Sequence, residues 1–321
     1  MTLPQATQTL SVMSDTADLP EAAQTALARA EELMLRVVDS DVHVLRDASR
    51  HILAAGGKRI RPKLVVLSCL AVGGEPNDDI LRVAAAVELV HTASVVHDDI
   101  NDHGVLRRGR PSVNAIWGRT FALLTGDFLF TKVYELMAPL REMNVPFAEA
   151  TMALVEGETL QAAAVKDNNF TREVYYQIIA RKTAALFRAA AYMGAVMSND
   201  DLRYADALSN YGFNIGLAFQ IVDDVLDIVG EPEKLGKTSG IDLAQGRGFA
   251  AAYNAEPVVV DNGDPMEAIK RKMMNTDTLN DARIKARVLV DSAIDSLDVL
   301  PNSEAKSALI DLAYSVIDRE F

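Results

Sequence analysis

The sequence is poor in the residues that crosslink small secreted proteins or interrupt helices. Cysteine occurs once, at Cys69, so no disulfide can form within the chain and no cysteine-rich metal site is available. Glycine and proline number 18 and 11 among 321 residues, a share below the usual value of about 12%, which favours long helices. No lysine or arginine precedes Arg29, which argues against a secretory signal or a transit peptide. We therefore expect an intracellular, cytoplasmic protein.

Basic residues are also outnumbered by acidic ones. Lysine and arginine total 32 against 45 aspartates and glutamates, a net charge of −13 at pH 7. Nucleic acids and anionic lipids attract basic surfaces, so we expect no nucleic-acid partner unless cations are clustered locally. No uninterrupted apolar run reaches the roughly 18 residues of a membrane span, and none is expected. The hydrophobic share of 49% is nevertheless enough for a large core.

Apolar residues recur at three- and four-residue spacing from Pro20 onward, with short polar breaks between the runs, as is typical of helices. The pattern predicts an all-α fold, a single-domain bundle of about ten to twelve helices over residues 18–321, preceded by a flexible tail at 1–17. The helices predicted at 79–102 and 201–229 have almost no polar face and should lie centrally. Segments 104–118 and 230–248 are expected to be loops. The other predicted helices include 21–39, 42–55, 119–138, 147–165 and 172–197.

Two matching groups of aspartates stand at the C-terminal ends of the two apolar helices. Each reads Asp-Asp-x-x-Asp, and residues four apart share one face of a helix. Carboxylates this close repel one another unless a cation binds between them, and oxygen ligands alone suit Mg²⁺. One such group could equally be a solvated helix end, but two groups 125 residues apart (98 to 223) make a metal site the better interpretation. The residues are Asp98, Asp99, Asp102, Asp223, Asp224 and Asp227.

Seven cations are concentrated in two short glycine-containing segments, 56–63 and 107–111. Guanidinium groups bind phosphate in a bidentate manner, and lysine adds a point charge. Beside a magnesium site, such segments indicate a diphosphate ligand, although either segment alone could be solvated surface charge.

Taken together, these motifs resemble those of the trans-type polyprenyl diphosphate synthases, which elongate allylic diphosphates with isopentenyl diphosphate. The resemblance runs from about Ala28 to Phe321. It implies an all-helical bundle around a deep central cavity, usually a homodimer, in agreement with the all-α prediction. The motifs that carry it are Gly-Gly-Lys-Arg-Ile-Arg-Pro (56–62), Glu-Leu-Val-His-Thr-Ala-Ser-Val-Val-His-Asp-Asp (88–99), Leu-Arg-Arg-Gly-Arg-Pro-Ser-Val-Asn (106–114), Gly-Asp-Phe-Leu-Phe (126–130), Arg-Lys-Thr (181–183), Gln220 to Asp227 and Leu-Gly-Lys (235–237).

The resemblance also implies roles for individual residues. Mg²⁺, three ions in the family, would bridge the allylic diphosphate to Asp98, Asp102 and Asp223, with the other three aspartates completing the groups. Without the resemblance, His91 would be a satisfied core histidine, and Lys182 and Thr183 ordinary helix residues. The allylic diphosphate would be bound by Arg107, Lys182 and Lys237, the nascent cation would lie beside Thr183 and Gln220, and isopentenyl diphosphate would be bound by Lys58, Arg61, His91 and Arg108.

The implied reaction is a head-to-tail condensation in which the allylic diphosphate ionises, the isopentenyl double bond attacks, and proton loss leaves a trans double bond. Farnesyl or geranylgeranyl diphosphate is the expected primer. Ala93 and Ser94, five and four positions before Asp98, are small, whereas a large aromatic there shortens the product in other family members. We therefore expect a product beyond C20, a lipid that implies transient membrane contact. Candidates for the cavity floor are Phe128, Phe130, Tyr134 and Met137, for each of which a core role is equally compatible.

Several alternatives stay open. The chain could be a geranylgeranyl-length synthase or the catalytic subunit of a heteromeric synthase. A terpene cyclase fits less well because residues 223–227 lack its Asn/Asp-Ser/Thr-Glu motif, and a noncatalytic helical subunit would usually lose the aspartate groups. Downstream of Lys237, residues 246–250 stand in place of the Gly-Lys-x-Thr-x-Pro segment of the family, and Arg247 is a candidate for the basic role of that segment. Asp242 matches a family aspartate to which the resemblance assigns no role. An unusual loop is expected at 254–265.

Overall fold

A computed structural model describes residues 18–229, 247–253 and 278–318. Within these ranges the chain is helical apart from short connections and one small hairpin, which confirms the all-α prediction. The predicted tail at 1–17 and the predicted loop at 254–265 lie outside the described residues, as does most of the segment 230–248.

The helices end within a few residues of their predicted bounds, and the predicted helix 172–197 is continuous through a π turn at Ala180–Ala184. Short 3₁₀ turns lie at Arg141–Met143 and Leu297–Val299. The α-helices are α1 (Glu21–Val37), α2 (His43–Ala54), α3 (Ile60–Ala71), α4 (Asp78–Asn101), α5 (Val113–Trp117), α6 (Arg119–Met137), α7 (Asn144–Lys166), α8 (Arg172–Ile179), α9 (Ala185–Val196), α10 (Leu202–Val229), α11 (Gly248–Tyr253), α12 (Thr278–Ser296) and α13 (Glu304–Ile317).

The loop prediction for 104–118 is wrong in part, because this segment contains regular structure. Strands β1 (Leu106–Arg107) and β2 (Arg110–Pro111) form a two-residue antiparallel hairpin. Ser112 then caps α5, its hydroxyl accepting a hydrogen bond from the backbone N–H of Ala115 at 3.1 Å. The hairpin places strand β1, which carries Arg107, against the end of α4.

Helix α4 lies at the centre of the bundle and packs against α6, α3, α1 and α9. Its start is capped by Asn77, whose side-chain oxygen accepts hydrogen bonds from the backbone N–H groups of Asp79 and Ile80. The helix is long and apolar enough to cross a membrane, but 78% of its most apolar window is buried inside the protein. It is therefore the core helix that its lack of a polar face predicts.

The π turn at 180–184 is held between two helices that approach its backbone closely. A Cβ atom on Gly157 of α7 would lie 2.5 Å from the backbone nitrogen of Lys182. A Cβ atom on Gly216 of α10 would lie 2.6 Å from the Cα atom of Ala184. Both contacts are shorter than any side chain allows, so these glycines permit the packing. π turns are frequent at functional sites, and this one carries Lys182 and Thr183.

Candidate active site

The C-terminal ends of α4 and α10 meet at a cavity of about 210 Å³, which we call the carboxylate cavity. Five of the six predicted aspartates line it, three from α4 and two from α10. The predicted residues on the π turn and in the basic segments also reach it. Its walls include Asp98, Asp99, Asp102, Asp223, Asp227, Arg61, His91, Arg107, Lys182, Thr183, Gln220, Glu158 and Arg247.

A second cavity of about 600 Å³, the basic cavity, adjoins the first and shares Arg61, His91, Arg107 and Asp223 with it. All four residues that the resemblance assigns to isopentenyl diphosphate line the basic cavity, since Lys58 and Arg108 complete its wall. The predicted site residues that the structure describes, apart from Asp224, thus line two adjoining cavities with one common wall.

The donor set of the carboxylate cavity fits a hard divalent cation. Most of its ligand-type side chains are carboxylates, with His91 as the exception, and within the described ranges no three acidic, histidine or cysteine side chains converge tightly enough to enclose an ion. Mg²⁺ suits such an open arrangement because it takes much of its coordination from water and substrate phosphates. The Oδ2 atom of Asp99 is buried and has no hydrogen-bond partner among the described residues, as expected of an oxygen that would coordinate a cation.

Asp99 is bound on its other oxygen by Arg107. The Arg107 Nε atom lies 3.0 Å from Asp99 Oδ1, and Nη2 also donates to that oxygen. Burial raises the pKa of Asp99, an effect that Arg107 opposes and the neighbouring Asp98 and Asp102 reinforce. Burial lowers the pKa of Arg107, but the three aspartates raise it above its ordinary value overall. Arg107 is therefore a fixed cation beside the carboxylate cavity.

Lys182 has a partner, Glu158, that sequence analysis did not identify. Its Nζ atom lies 2.7 Å from Glu158 Oε1 on α7 and 3.9 Å from Asp98 Oδ2. Burial alone would lower the pKa of Lys182, but the attraction of Asp98 and Glu158 raises it. Burial raises the pKa of Glu158 to about 6. Glu158 is one of three glutamates on α7 and has no spacing that distinguishes it from the others, so only the packing of α7 on the π turn identifies it.

The basic cavity holds strongly desolvated cations. Burial lowers the pKa of Arg61 to about 10, with a further lowering from Arg108, while Glu88 and Asp223 oppose the shift. The Arg61 Nε atom is buried without a hydrogen-bond partner among the described residues. Burial lowers the pKa of His91 well below its usual value, and the surrounding arginines lower it further. His91 is thus neutral at physiological pH.

The loop before α3 depends on glycine. Gly57 has φ of +138°, and a Cβ atom there would lie 2.6 Å from Cζ of Arg108. A side chain at this position would both strain the backbone and displace the guanidinium. Gly57 therefore brings the loop that carries Lys58 against the β-hairpin that carries Arg108.

The remaining predicted residues divide into three outcomes. Lys237 and Asp242 lie outside the described residues. Arg247, at the start of α11, donates to Asp102, with its Nη2 atom 2.7 Å from Oδ2, so it reaches the carboxylate cavity as the sequence suggests. The floor prediction for Tyr134 is wrong, because its side chain projects from α6 into solvent and is 76% exposed. The ring of Phe130 instead stacks on that of His97, and Met137 is buried in the core.

The chain is similar over nearly its whole length to proteins of known class. The Polyprenyl synthetase family model matches residues 42–283. Octaprenyl diphosphate synthase from Haemophilus influenzae is 34% identical over 320 residues, covering 95% of this chain and 97% of that protein. A short chain isoprenyl diphosphate synthase from Methanothermobacter thermautotrophicus is 36% identical over 309 residues, covering 90% and 95% respectively.

A solved structure has the same fold. Polyprenyl synthase from Caulobacter crescentus, crystallised with calcium and isoprenyl diphosphate, superposes with a TM-score of 0.88 at 32% identity, covering 99% of this chain and all of that one. Family model, relatives and structure agree with the motifs quoted above. The chain accordingly belongs to the polyprenyl synthetase family and is a prenyltransferase, as the resemblance predicts.

Proposed function

We propose that this enzyme condenses isopentenyl diphosphate with an allylic diphosphate, farnesyl or geranylgeranyl, and releases a trans polyprenyl diphosphate longer than C20. The observation that carries the proposal is the pair of adjoining cavities. The carboxylate cavity suits a diphosphate accompanied by divalent cations, and the basic cavity suits a diphosphate without them. Their common wall, which combines the polar residues Arg61, His91, Arg107 and Asp223 with Val95 and Phe219, would place the two substrates side by side.

The allylic diphosphate would lie in the carboxylate cavity. Asp98, Asp102 and Asp223, with Asp99 and Asp227, would hold Mg²⁺, which when bound neutralises the diphosphate and improves it as a leaving group. The calcium and isoprenyl diphosphate of the Caulobacter structure support this pairing of divalent cation and ligand. Lys182 and Arg107, both held cationic by neighbouring carboxylates, would bind the diphosphate oxygens directly. The resemblance adds Lys237.

Isopentenyl diphosphate would lie in the basic cavity. Arg61 and Arg108 can each bind phosphate oxygens in a bidentate manner, with Lys58 as a point charge and neutral His91 as a hydrogen-bonding group. Desolvation of Arg61 strengthens its attraction for an anion, because the local dielectric constant is low. We infer that this cavity selects a metal-free diphosphate, since arginine rather than aspartate dominates its wall.

The two residues beside the nascent cation would be Thr183 and Gln220. The hydroxyl of Thr183 donates to the side-chain carbonyl of Gln220 at 2.7 Å. This bond orients two oxygen dipoles in the wall of the carboxylate cavity, where positive charge develops as the allylic bond breaks. The chain's own contribution would thus be positioning and electrostatic stabilisation.

A product beyond C20 is supported by the residues around the carboxylate cavity on the α4 side. Ser94 lines the cavity, and Ala93 is fully buried beside it. Neither side chain is large enough to block a prenyl tail that runs along α4. The octaprenyl and heptaprenyl diphosphate synthases among the relatives, each at least 34% identical, agree with this prediction.

We also propose that the enzyme is a cytoplasmic homodimer whose residues 18–321 form one catalytic domain. Apolar side chains are exposed on α6 and α7, a pattern that favours a second copy of the chain as their cover. They include Phe121, Leu123, Leu124, Val145, Met152 and Val155. Sedimentation equilibrium should give twice the mass of the chain, and a monomer at micromolar concentration would contradict the dimer.

The decisive experiment sizes the products. Purified enzyme is incubated with Mg²⁺, isopentenyl diphosphate and geranyl, farnesyl or geranylgeranyl diphosphate in separate reactions, and the products are measured by mass spectrometry. We expect chains above C20, and Asp98→Asn as the matched control should abolish them. A C20 product would support the geranylgeranyl-length alternative, and no product from any primer would overturn the proposal.

A further inference from the structure

Asp224 differs from the other predicted aspartates in where its carboxylate lies. It does not line the carboxylate cavity but a smaller one of about 50 Å³ behind it, together with Tyr175, Lys182 and Gln220. The side chain is buried, with the residue 7% exposed. Each of its two oxygens accepts a hydrogen bond: Oδ2 from the Tyr175 hydroxyl at 2.8 Å and Oδ1 from Gln220 Nε2 at 2.8 Å.

These bonds continue through Gln220 to the π turn. The amide nitrogen of Gln220 faces Asp224, and its carbonyl oxygen accepts from Thr183 Oγ1 at 2.7 Å. A neutral amide can turn over and exchange its two ends at little cost in shape. Asp224 removes that freedom, because a carboxylate has no proton to donate and accepts only from the nitrogen end. The carbonyl end of Gln220 is therefore fixed toward Thr183 and the carboxylate cavity.

We propose that Asp224 is a positioning residue rather than a metal ligand, and that it acts through Gln220. It fixes the side-chain amide of Gln220 so that the carbonyl oxygen, and not the amide nitrogen, faces the region where positive charge develops. This inference rests on the proposed function of the site. Helical geometry explains why these aspartates have different surroundings. Asp223 and Asp227 are four residues apart and share a face of α10, whereas Asp224 is rotated by about 100° from Asp223.

The first test separates metal binding from catalysis. Mn²⁺ binding in the presence of inorganic diphosphate is followed by electron paramagnetic resonance, and kcat and the Mg²⁺ dependence of turnover are measured in parallel. For Asp224→Asn we expect Mn²⁺ affinity within about twofold of wild type and kcat lower by about 10 to 100-fold, the range of partners that orient a functional group. The matched variant Asp223→Asn should weaken Mn²⁺ binding.

The second test exchanges the amide at position 220 and the carboxylate at position 224, which are joined by a hydrogen bond. In Asp224→Asn alone, the Tyr175 hydroxyl, the Gln220 amide nitrogen and the new amide nitrogen at 224 are three donors that share too few acceptors. In Gln220→Glu alone, two carboxylates face each other. In the double variant Gln220→Glu/Asp224→Asn, the new amide can donate to residue 220 and accept from Tyr175, while Thr183 still donates to residue 220. Total charge is unchanged. We expect the double variant to melt at a higher temperature than either single variant.

The outcomes are distinct. If Asp224→Asn weakens Mn²⁺ binding as much as Asp223→Asn, or if the double variant is no more stable than both single variants, the positioning role is wrong. Tyr175→Phe, which removes the donor that holds Oδ2 of Asp224, serves if the other variants fold poorly. It should leave Mn²⁺ binding unchanged and lower kcat, because the carboxylate is then less firmly placed against Gln220; weaker Mn²⁺ binding or an unchanged kcat would overturn the proposal. Wild-type enzyme without product in the same assay would overturn the proposed function instead.

Discussion

The guanidinium of Arg59 and the carboxylate of Glu88 form a buried ion pair, with Nη1 and Oε1 2.7 Å apart. Arg59 stands immediately before α3 in a left-handed conformation, with φ of 48°, and Glu88 lies midway along α4. Arg59 also donates to the backbone carbonyl of Leu53 and to Glu31. The pair therefore anchors the segment that carries Lys58 and Arg61 to the central helix.

We expect Glu88→Gln to lower stability by about 1 to 3 kcal/mol, because it removes the more buried of the two carboxylates that pair with the Arg59 guanidinium and leaves only Glu31. The displaced segment should also raise the KM for isopentenyl diphosphate more than the KM for the allylic substrate. Urea unfolding and steady-state kinetics check both effects. Arg203→Ala, which removes an exposed ion pair with Asp201, is the control and should leave the urea midpoint unchanged. Equal changes in the two KM values would argue against anchoring.

A second prediction concerns the close contact between α4 and α6. A Cβ atom on Gly126 would lie 2.1 Å from Nε2 of His97, the residue before Asp98. Gly126→Ala should therefore push His97 aside, cost about 1 to 3 kcal/mol and lower kcat. Removing the ring in the double variant His97→Ala/Gly126→Ala should recover part of the stability. If thermal unfolding shows that the stability losses of His97→Ala and Gly126→Ala simply add in the double variant, the contact between these two residues is not the cause.

The neutral state of His91 predicts a pH dependence of stability. Its pKa is lowered in the folded protein, while the unfolded chain has a value near 6.5. The unfolded state thus binds the proton more readily, and the stability present above pH 6.5 is lost as the pH falls. Wild-type enzyme should lose stability relative to His91→Gln below about pH 6.5. Melting temperatures compared from pH 8 to about 5.5 check this, and a constant difference would contradict it.

Product length should respond to the size of the side chain at Ala93. This residue is fully buried next to Ser94, which lines the carboxylate cavity. Ala93→Phe would place a ring about one helical turn, roughly 5 Å, from the aspartates and should shorten the product. Mass spectrometry of the products provides the measurement. If chain length stays the same in a variant that retains activity, the tail does not run along α4.

A final prediction tests the packing of the C-terminal helix. The hydroxyl of Tyr211 on α10 donates to the backbone carbonyl of Leu309 on α13 at 2.6 Å, and both residues are fully buried. Tyr211→Phe removes this hydrogen bond while the carbonyl keeps its partner within α13, and should cost about 0.5 to 1.5 kcal/mol in urea unfolding. Activity at low temperature should be unchanged, because neither residue lines the two cavities. A loss of activity without a loss of stability would contradict this.

The sequence predicted the helices well because apolar periodicity is local information. It also grouped the aspartates, but treated each Asp-Asp-x-x-Asp as one unit. In the second group the middle residue is separated from the other two, because Asp224 is bonded to Gln220 outside the carboxylate cavity. In the first group Asp99 is bonded to Arg107 but still lines that cavity with Asp98 and Asp102, so the 100° rotation per residue does not by itself predict the difference.

Other features of the site carry no sequence signal. Glu158 is one of three glutamates on α7 and Glu88 is one of several acids on α4, and only packing reveals what each contacts. The π turn at 180–184 occurs in Ala-Arg-Lys-Thr-Ala, which is ordinary helical sequence. A π turn contains one more residue than an α-helical turn, and this one is stabilised by the close approach of α7 and α10. These contacts are between residues distant in sequence, which local patterns do not encode. Tyr134 was one of four candidates for the cavity floor on the helix after α4, and the orientation of α6 instead exposes its side chain to solvent.

The apolar surface of α4 also bears on how the chain is synthesised. This helix, about 36 Å long at 1.5 Å per residue, packs against α1 and α3, which precede it, and against α6, which follows. Its burial therefore cannot be completed until the ribosome has passed Met137. Until then the growing chain exposes a helix that, by length and composition, could enter a membrane or aggregate. The helix that positions the first aspartates thus makes the nascent chain dependent on rapid docking of α6.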